Sequence, residues 1–255
     1  MGRIGIKICG LSDMTSVDAA IGAGADHIGL VFFAKSPRNV EVDHAAGRAK
    51  VVGLFVDPDQ DFLDLARRRV GLDVIQLHGK ENPETAMHIQ RAHGLPVWKA
   101  IGVRKSADLD VAGQYRGLAR VLYDAKPPEG ADLPGGTGLR IDWSLMAGHR
   151  HAMPWILAGG LDPRNVGEAM AVTGADFVDV SSGVESAPGI RISRRSPASP
   201  HHPDAIRLRS CNGGIPPCHR PAPVLADSPR RSKWRSGRTR NDSRPRHKAP
   251  RARAP

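Results

Sequence analysis

Two side chains suited to proton transfer lie at the ends of short apolar segments in this sequence. Cys9 closes the segment Ile4–Cys9, and Asp124 lies near the end of the segment Val121–Ala125. A thiol and a carboxyl group that flank one ligand can act as a base and an acid. Each residue alone also has an ordinary interpretation, because a single cysteine is usually a small buried apolar residue and a single aspartate often caps a turn. Their chemistry therefore depends on whether the fold brings them together.

Two short loops rich in glycine and serine are typical of a phosphate-binding site. Gly159-Gly160 follows one apolar segment, and Ser181-Ser182-Gly183 follows the next. Backbone N–H groups in such loops can form a concave site for an anion. The glycine pair alone could be only a tight turn, but the two loops together favour phosphate binding.

Arg38 and His78 are further candidates for contacts with a ligand. Arg38 follows the segment His27–Phe33 and could pair bidentately with a substrate carboxylate, although it could also be a solvated loop arginine. His78 follows Val74–Leu77 and could contact a ligand or simply end a strand in a turn. Both are therefore candidate substrate-binding residues.

The elements that would position these residues repeat along the chain. Segments rich in Val, Ile, Leu and Phe begin mostly about 23 or 24 residues apart, with one longer step of about 34. They are Ile4–Cys9, His27–Phe33, Val51–Val56, Val74–Leu77, Val97–Val103, Val121–Ala125, Trp155–Ala158 and Phe177–Val180. Between them we predict helices over Met14–Ala23, Phe62–Val70, Pro83–Ala92 and Pro163–Val172, with caps at Ser12 or Asp13, Asp59 or Asp61, Asn82 and Asp162.

This alternation predicts an α/β fold, a (β/α)8 TIM barrel formed by residues 1–190. Short apolar strands between helices are typical of parallel strands buried on both faces. Eight such units suffice for a closed barrel, and the lack of an early GxGxxG argues against an open doubly wound sheet. The ends of the first and sixth strands would face each other across the barrel mouth, which places Cys9 opposite Asp124. We expect a short second helix, about 42–49, and a missing or atypical eighth helix after Ser186.

Composition separates a tail, residues 191–255, from the barrel. The tail holds 17 of the 37 Lys and Arg, 3 of the 26 Asp and Glu, and 11 of the 21 prolines. The net charge of +11 therefore comes from the tail, which has no periodicity and is expected to be disordered. We interpret the tail first as out-of-frame translation of GC-rich DNA, and otherwise as a linker or a basic nucleic-acid arm.

Several classes of protein are excluded by composition. No segment approaches the 18 or so apolar residues of a membrane span, and the N-terminus is unlike a secretory signal. Cys9, Cys211 and Cys218 are too few and too irregularly spaced for a disulfide framework or a zinc site. We therefore expect a cytoplasmic protein with no metal site and no membrane partner. No clear apolar helix face argues for a dimer, so a monomer is expected.

Taken together, these residues resemble phosphoribosylanthranilate isomerase, a barrel enzyme of tryptophan biosynthesis. The resemblance covers about residues 3–190, segment by segment and in order. It rests on Lys7–Gly10, Phe32–Arg38, Val52–Val56, Gln76–Gly79, Leu122–Asp124, Gly135–Gly138 with Asp142-Trp143, Leu157–Leu161 and Val178–Glu185. The chain departs from the family in its short second helix and in the tail that replaces the final helix.

The resemblance implies an Amadori rearrangement of N-(5-phosphoribosyl)anthranilate to 1-(2-carboxyphenylamino)-1-deoxyribulose 5-phosphate, with no cofactor. It implies that Asp124 is the general acid and Cys9 the general base. It assigns Arg38 to the anthranilate carboxylate and the two glycine and serine loops to the phosphate. The alternatives are an inactive product of a damaged gene and a phosphate-binding barrel with a nucleic-acid-binding arm. The tail's only aromatic residue is Trp234, so base stacking is unsupported and no nucleic-acid partner is expected.

Overall fold

Eight parallel strands close into a barrel in the computed structural model, which describes residues 3–40, 49–128, 130–131, 133, 135–136, 138–187 and 190–191. The strands are β1 Gly5–Cys9, β2 His27–Phe32, β3 Lys50–Phe55, β4 Val74–Leu77, β5 Val97–Val103, β6 Arg120–Ala125, β7 Trp155–Leu157 and β8 Phe177–Val180. Each strand pairs with its sequence neighbour, and β1 also pairs with β8. The predicted barrel is confirmed.

Five helices lie outside the strands in the part of the chain that is described, because packing against the barrel buries their apolar faces. They are α1 Met14–Gly22, α2 Gln60–Val70, α3 Pro83–His93, α4 Ala107–Asp110 and α5 Val166–Thr173. The side chains of Asp13, Asp59 and Asn82 accept hydrogen bonds from backbone N–H groups in the first turns of α1, α2 and α3. The cap predictions for these three helices are confirmed.

The start of α5 was predicted wrongly. The helix begins at Val166 rather than Pro163, and its N-cap is Asn165 rather than Asp162. The Asp162 carboxylate instead accepts from the N–H groups of Arg164 and Asn165, at 2.7 and 3.1 Å, and so closes a turn. The Asn165 amide donates to the carbonyl of Gly160 at 2.9 Å. These polar groups order the loop after β7, and the helix starts only where that loop ends.

The chain after β8 forms a short 3₁₀ turn and a hairpin. The turn covers Ser182–Val184, and β9 Glu185–Ala187 pairs antiparallel with β10 Ile190–Arg191. No α-helix follows β8 in the described residues 181–187 and 190–191, and the expectation of a missing or atypical eighth helix falls mostly on residues outside the described ones. The predicted second helix, 42–49, falls largely on residues 41–48, and the tail falls almost entirely on residues 192–255. Both segments lie outside the described residues.

The barrel interior changes character from the amino ends of the strands to their carboxyl ends. A separate apolar cluster near the amino ends includes Trp98 and Phe177, whose rings are in edge contact. Above it, Lys7 and Asp179 form a buried ion pair, and Cys9 lies above Lys7 on the same face of β1. The buried ion pair therefore lies between this apolar cluster and the barrel mouth, where Cys9 packs with Val31 and Leu54. Across the described residues, no helix is long and apolar enough to cross a membrane.

Candidate active site

The carboxyl ends of the strands surround a pocket, which is where barrel enzymes carry their chemistry. The predicted site residues that line it are Cys9, Arg38, His78, Asp124, Gly159, Gly160, Ser181 and Ser182. Gly183 does not line it. A Cβ on Gly183 would collide with the Leu161 carbonyl, so this glycine allows the loops after β7 and β8 to touch.

Cys9 is buried at the end of β1, with 4% of its surface exposed. Its backbone carbonyl accepts a hydrogen bond from the Ser181 hydroxyl at 3.3 Å. This contact joins the end of β1 to the loop after β8. The candidate base therefore lies beside one of the two candidate phosphate loops.

Asp124 lies on β6 and contacts His78 from β4. One carboxylate oxygen accepts from the N–H of Ala125 at 2.8 Å, and the other lies 3.5 Å from His78 Nε2. A Cβ on Gly135 would come within 2.5 Å of His78 Nε2 and 2.6 Å of that Asp124 oxygen. Gly135 therefore brings the loop after β6 directly over this pair, and only glycine fits there.

The loop that follows His78 is held by a strained turn that sequence patterns did not indicate. Asp57, after β3, has a φ of 46°, a conformation that residues other than glycine rarely adopt. Its carboxylate accepts from the N–H of Lys80 at 2.6 Å, and Glu81 accepts from the N–H groups of Asp57 and Gly79. These contacts fix the loop after β4, and His78 begins that loop.

Arg38 is buried and already paired. Its Nε and Nη2 atoms each donate to a carboxylate oxygen of Glu185 at 2.7 Å, which is a bidentate ion pair. The hydrogen bond to Glu185 raises the pKa of Arg38, although burial opposes this. A Cβ on Gly136 would lie 3.1 Å from Nη1, so that nitrogen points towards the loop after β6. The edge of the guanidinium that faces Glu185 is thus occupied by the protein.

The loops after β7 and β8 are closely packed against the rest of the pocket. Gly159 and Gly160 have φ values of 83° and 63°, and a Cβ on either would approach backbone atoms to 2.8 Å. Ser182 begins the 3₁₀ turn after β8. The glycine pair is therefore a tight turn, and it also brings backbone close to the pocket. The two interpretations of Gly159-Gly160 are compatible.

Three residues at the site were missed by the sequence interpretation: Lys7, Asp179 and Glu185. Asp179 lines the pocket, and Lys7, on β1, donates to the Asp179 carboxylate. A usable signal existed, because Lys7 and Asp179 are charged residues inside otherwise apolar strands, where charges are rare unless paired. Glu185 had no local signal, because its partner lies 147 residues away. The described residues contain no group of three or more His, Cys, Asp or Glu that could hold a metal ion.

The barrel and its pocket define the class of protein: a (β/α)8-barrel enzyme with a candidate acid, a candidate base and anion-binding loops at the carboxyl ends of the strands. Residues 6–195 match the family N-(5'phosphoribosyl)anthranilate (PRA) isomerase. The chain belongs to this family. The N-(5'-phosphoribosyl)anthranilate isomerase of Paramagnetospirillum magneticum is 50% identical over 221 residues, which cover 83% of this chain and 98% of that protein.

Solved structures of the family have the same fold. Phosphoribosyl anthranilate isomerase from Thermotoga maritima has a TM-score of 0.67 and 33% identity, covering 75% of this chain and 94% of that chain. A second structure holds reduced 1-(o-carboxyphenylamino)-1-deoxyribulose 5-phosphate, with a TM-score of 0.64 and 31% identity. That match covers 75% of this chain and 93% of that one. The family resemblance predicted from the sequence is confirmed.

Proposed function

We propose that this protein isomerises N-(5'-phosphoribosyl)anthranilate to 1-(2-carboxyphenylamino)-1-deoxyribulose 5-phosphate, a step of tryptophan biosynthesis. The observation that carries the proposal is the set of groups around one pocket. Cys9, Asp124, Arg38 and both glycine and serine loops converge at the carboxyl ends of the strands. The ligand bound to a solved relative, a reduced form of the same product, supports this substrate class.

The two candidate proton-transfer residues take complementary roles in the proposed mechanism. Asp124 protonates the ring oxygen of the ribose, so that the ring opens to an iminium ion. Cys9 then removes the proton from C2, and the resulting enolamine tautomerises to the ketone. The base must be a thiolate, because a neutral thiol is a poor proton acceptor. His78 follows β4, and its Nε2 lies 3.5 Å from the Asp124 carboxylate, so it contacts either the substrate or the general acid.

The remaining residues bind and orient the substrate. Arg38 binds the anthranilate carboxylate, and its pairing with Glu185 holds the guanidinium in place for that contact. The backbone around Gly159-Gly160 and Ser181-Ser182-Gly183 binds the phosphate, as short loops of this kind do in other barrels. No organic cofactor takes part in the proposed steps.

The proposal extends to the protein's compartment, its partners and its oligomeric state. We propose a cytoplasmic protein, with a small phosphorylated sugar as its ligand and no nucleic-acid partner. We also propose a monomer, which light scattering on the full chain checks. One solved structure from Thermotoga maritima is of monomers generated from a dimeric isomerase, so the measurement is informative in either direction.

Turnover with and without the two proton-transfer residues tests the proposal. Purified protein should consume the substrate, followed as loss of anthranilate fluorescence in a coupled assay. Cys9→Ala and Asp124→Asn should each lower kcat by about 10²–10⁴-fold, the usual contribution of a general acid or base, while a phosphate ligand still binds. His88→Gln, an exposed change on α3, is the matched control and should leave turnover unchanged. Substantial activity in either variant would contradict the role assigned to that residue. No activity in a well-folded wild type would contradict the proposed function.

A further inference from the structure

A charged side chain that the proposed mechanism does not use lies inside the barrel directly below Cys9. Lys7 is fully buried on β1. Its Nζ contacts both carboxylate oxygens of Asp179 on β8, at 2.9 and 3.0 Å. Burying an ion pair is costly, and an apolar pair of similar volume is often equally stable or more stable. Packing alone therefore gives no reason for a lysine at this position.

The Lys7 side chain runs alongside the Cys9 thiol. The two residues are separated by one position on β1, so their side chains lie on the same face of the strand. Gly29, on the neighbouring strand β2, marks how close they are. A Cβ on Gly29 would be 2.8 Å from Cys9 Sγ and 3.0 Å from Lys7 Cε. The absence of a side chain at Gly29 leaves the space in which the thiol and the lysine meet.

The surroundings keep the Lys7 amine charged. Burial by itself lowers the pKa of a lysine, but the charge of Asp179 and hydrogen bonds to Asp179 and Cys9 outweigh burial here, together with the charge that Cys9 carries when it is a thiolate. The pKa of Lys7 is consequently raised from its ordinary value. An ammonium in this interior is screened little by water, so it acts strongly on neighbouring groups.

We propose that Lys7 is a positioning residue for the reaction: its ammonium, held by Asp179, stabilises Cys9 as the thiolate that removes the proton from C2. The inference rests on the proposed function, because it explains how the proposed base obtains its charge. It adds two residues, Lys7 and Asp179, to the machinery. Neither touches the reacting atoms in this role; Lys7 acts through Cys9, and Asp179 acts through Lys7.

The other charged groups that face Cys9 have different partners. Arg38 also favours a negative Cys9, but its main interaction is the bidentate pair with Glu185. Asp124 and Asp179 also line the pocket and oppose a thiolate by repulsion, and His78 contacts Asp124. Neither Arg38 nor His78 lies on the strand that carries Cys9, whereas Lys7 is a cation on that strand.

The titration of Cys9 tests the proposal without depending on turnover. The rate of iodoacetamide alkylation is measured against pH on the full chain, and the modified Cys9 peptide is quantified by mass spectrometry. This separates Cys9 from Cys211 and Cys218, and the Cys9→Ala protein gives the background. Lys7→Met should move the titration midpoint of Cys9 upwards by about one to two pH units, the usual effect of losing an adjacent opposite charge.

Two further variants separate electrostatics from damage to the fold. Asp179→Asn removes the carboxylate that keeps the buried Lys7 charged, so the Cys9 midpoint should also move upwards. The rise should be smaller than in Lys7→Met, because an anion that repels the thiolate is lost as well. Lys7→Met/Asp179→Asn buries no unpaired charge, and its midpoint should still lie above that of the wild type. Lys99→Met is the matched control, because Lys99 is also buried in the barrel and paired, but with Glu81. Its substitution should leave the Cys9 titration unchanged.

The outcomes decide the proposal in both directions. An upward shift in Lys7→Met that persists in the double variant, beside an unchanged midpoint in Lys99→Met, supports it. An unchanged midpoint in Lys7→Met overturns it, as does a double variant that titrates like the wild type. A downward shift in Asp179→Asn overturns the part assigned to Asp179. If the shifts occur but the wild type has no isomerase turnover, the thiolate inference stands and the proposed function fails. In an active enzyme, the acid limb of kcat/KM should move with the Cys9 midpoint.

Discussion

At the scale of single residues, the candidate site consists of side chains that are each fixed by a partner. Arg38 is held by Glu185, Asp124 contacts His78, and Lys7 is held by Asp179. Such pairing reduces the rotamers that must be lost when a substrate binds. It also makes the partner as important as the residue that contacts the substrate. Glu185 is the clearest case, because both of its carboxylate oxygens are used on Arg38.

We therefore expect Glu185→Gln to weaken substrate binding more than it slows the chemical steps. Gln keeps the shape and one acceptor but removes the charge that orients the guanidinium. KM should rise about tenfold, equivalent to about 1.4 kcal/mol, while kcat changes less than about threefold. Steady-state kinetics on the two proteins measure both constants. Arg3→Gln, which breaks the exposed ion pair with Asp26, is the control and should change neither. A fall in kcat with unchanged KM would contradict this role for Glu185.

At the scale of elements, the sequence patterns predicted what depends on local chemistry. The apolar segments became strands whose ends differ from the predicted ends by no more than one residue, because a continuous apolar run indicates a strand buried on both faces. Asp13, Asp59 and Asn82 cap helices as expected. The predicted start of α5 was wrong because the side chains of Asp162 and Asn165 hydrogen-bond to backbone groups of the loop before the helix.

The rest of the site depended on contacts between distant segments. Lys7 and Asp179 are 172 residues apart, and Arg38 and Glu185 are 147 residues apart. The barrel as a whole could be predicted from the sequence. The predicted barrel placed Cys9, Asp124 and the glycine and serine loops around one mouth. The charge pairs inside the barrel could not be predicted, because strand register and side-chain direction decide which charges meet.

Two half-buried histidines, His27 at the start of β2 and His151 in the loop before β7, make stability depend on pH. Burial, with Lys50 next in effect, lowers the pKa of His27 to about 4. Burial and His149 lower the pKa of His151 to about 4. Both are neutral in the folded protein at pH values where an unfolded histidine, with a pKa near 6.5, already takes up a proton. Their stabilising contribution is complete above about pH 6.5 and is lost as the pH falls towards about 4.

We expect the Tm to fall by about 5 °C between about pH 7 and pH 5 from these two residues, after allowing for their partial exposure. Differential scanning calorimetry measures the fall, and H27F/H151F should reduce it because neither position can then be protonated. His88→Gln keeps both buried histidines and should retain the full fall. An equal fall in the wild type and in H27F/H151F would assign the pH dependence to other groups.

At the scale of the whole molecule, the question is how much of the chain the barrel needs. The family match ends at residue 195, and solved relatives are covered over 92–94% of their length by 74–75% of this chain. The last described elements, β9 and β10, follow directly from Glu185, which holds Arg38. The hairpin is therefore connected to the site. The basic tail, by contrast, has a composition unsuited to a packed core.

A pair of truncations separates the hairpin from the tail. A chain that ends at Arg195 keeps β9 and β10, and we expect its kcat/KM to be within about twofold of the full-length value, because no described site residue lies beyond the cut. A chain that ends at Ala187 loses β10 and with it the antiparallel partner of the Glu185 segment. Its KM should rise, as in Glu185→Gln, because Arg38 is then less firmly held. Turnover and circular dichroism on the two chains give the comparison. Loss of both activity and helical signal in the longer chain would mean that residues 196–255 complete the barrel, and the out-of-frame interpretation of the tail would then be wrong.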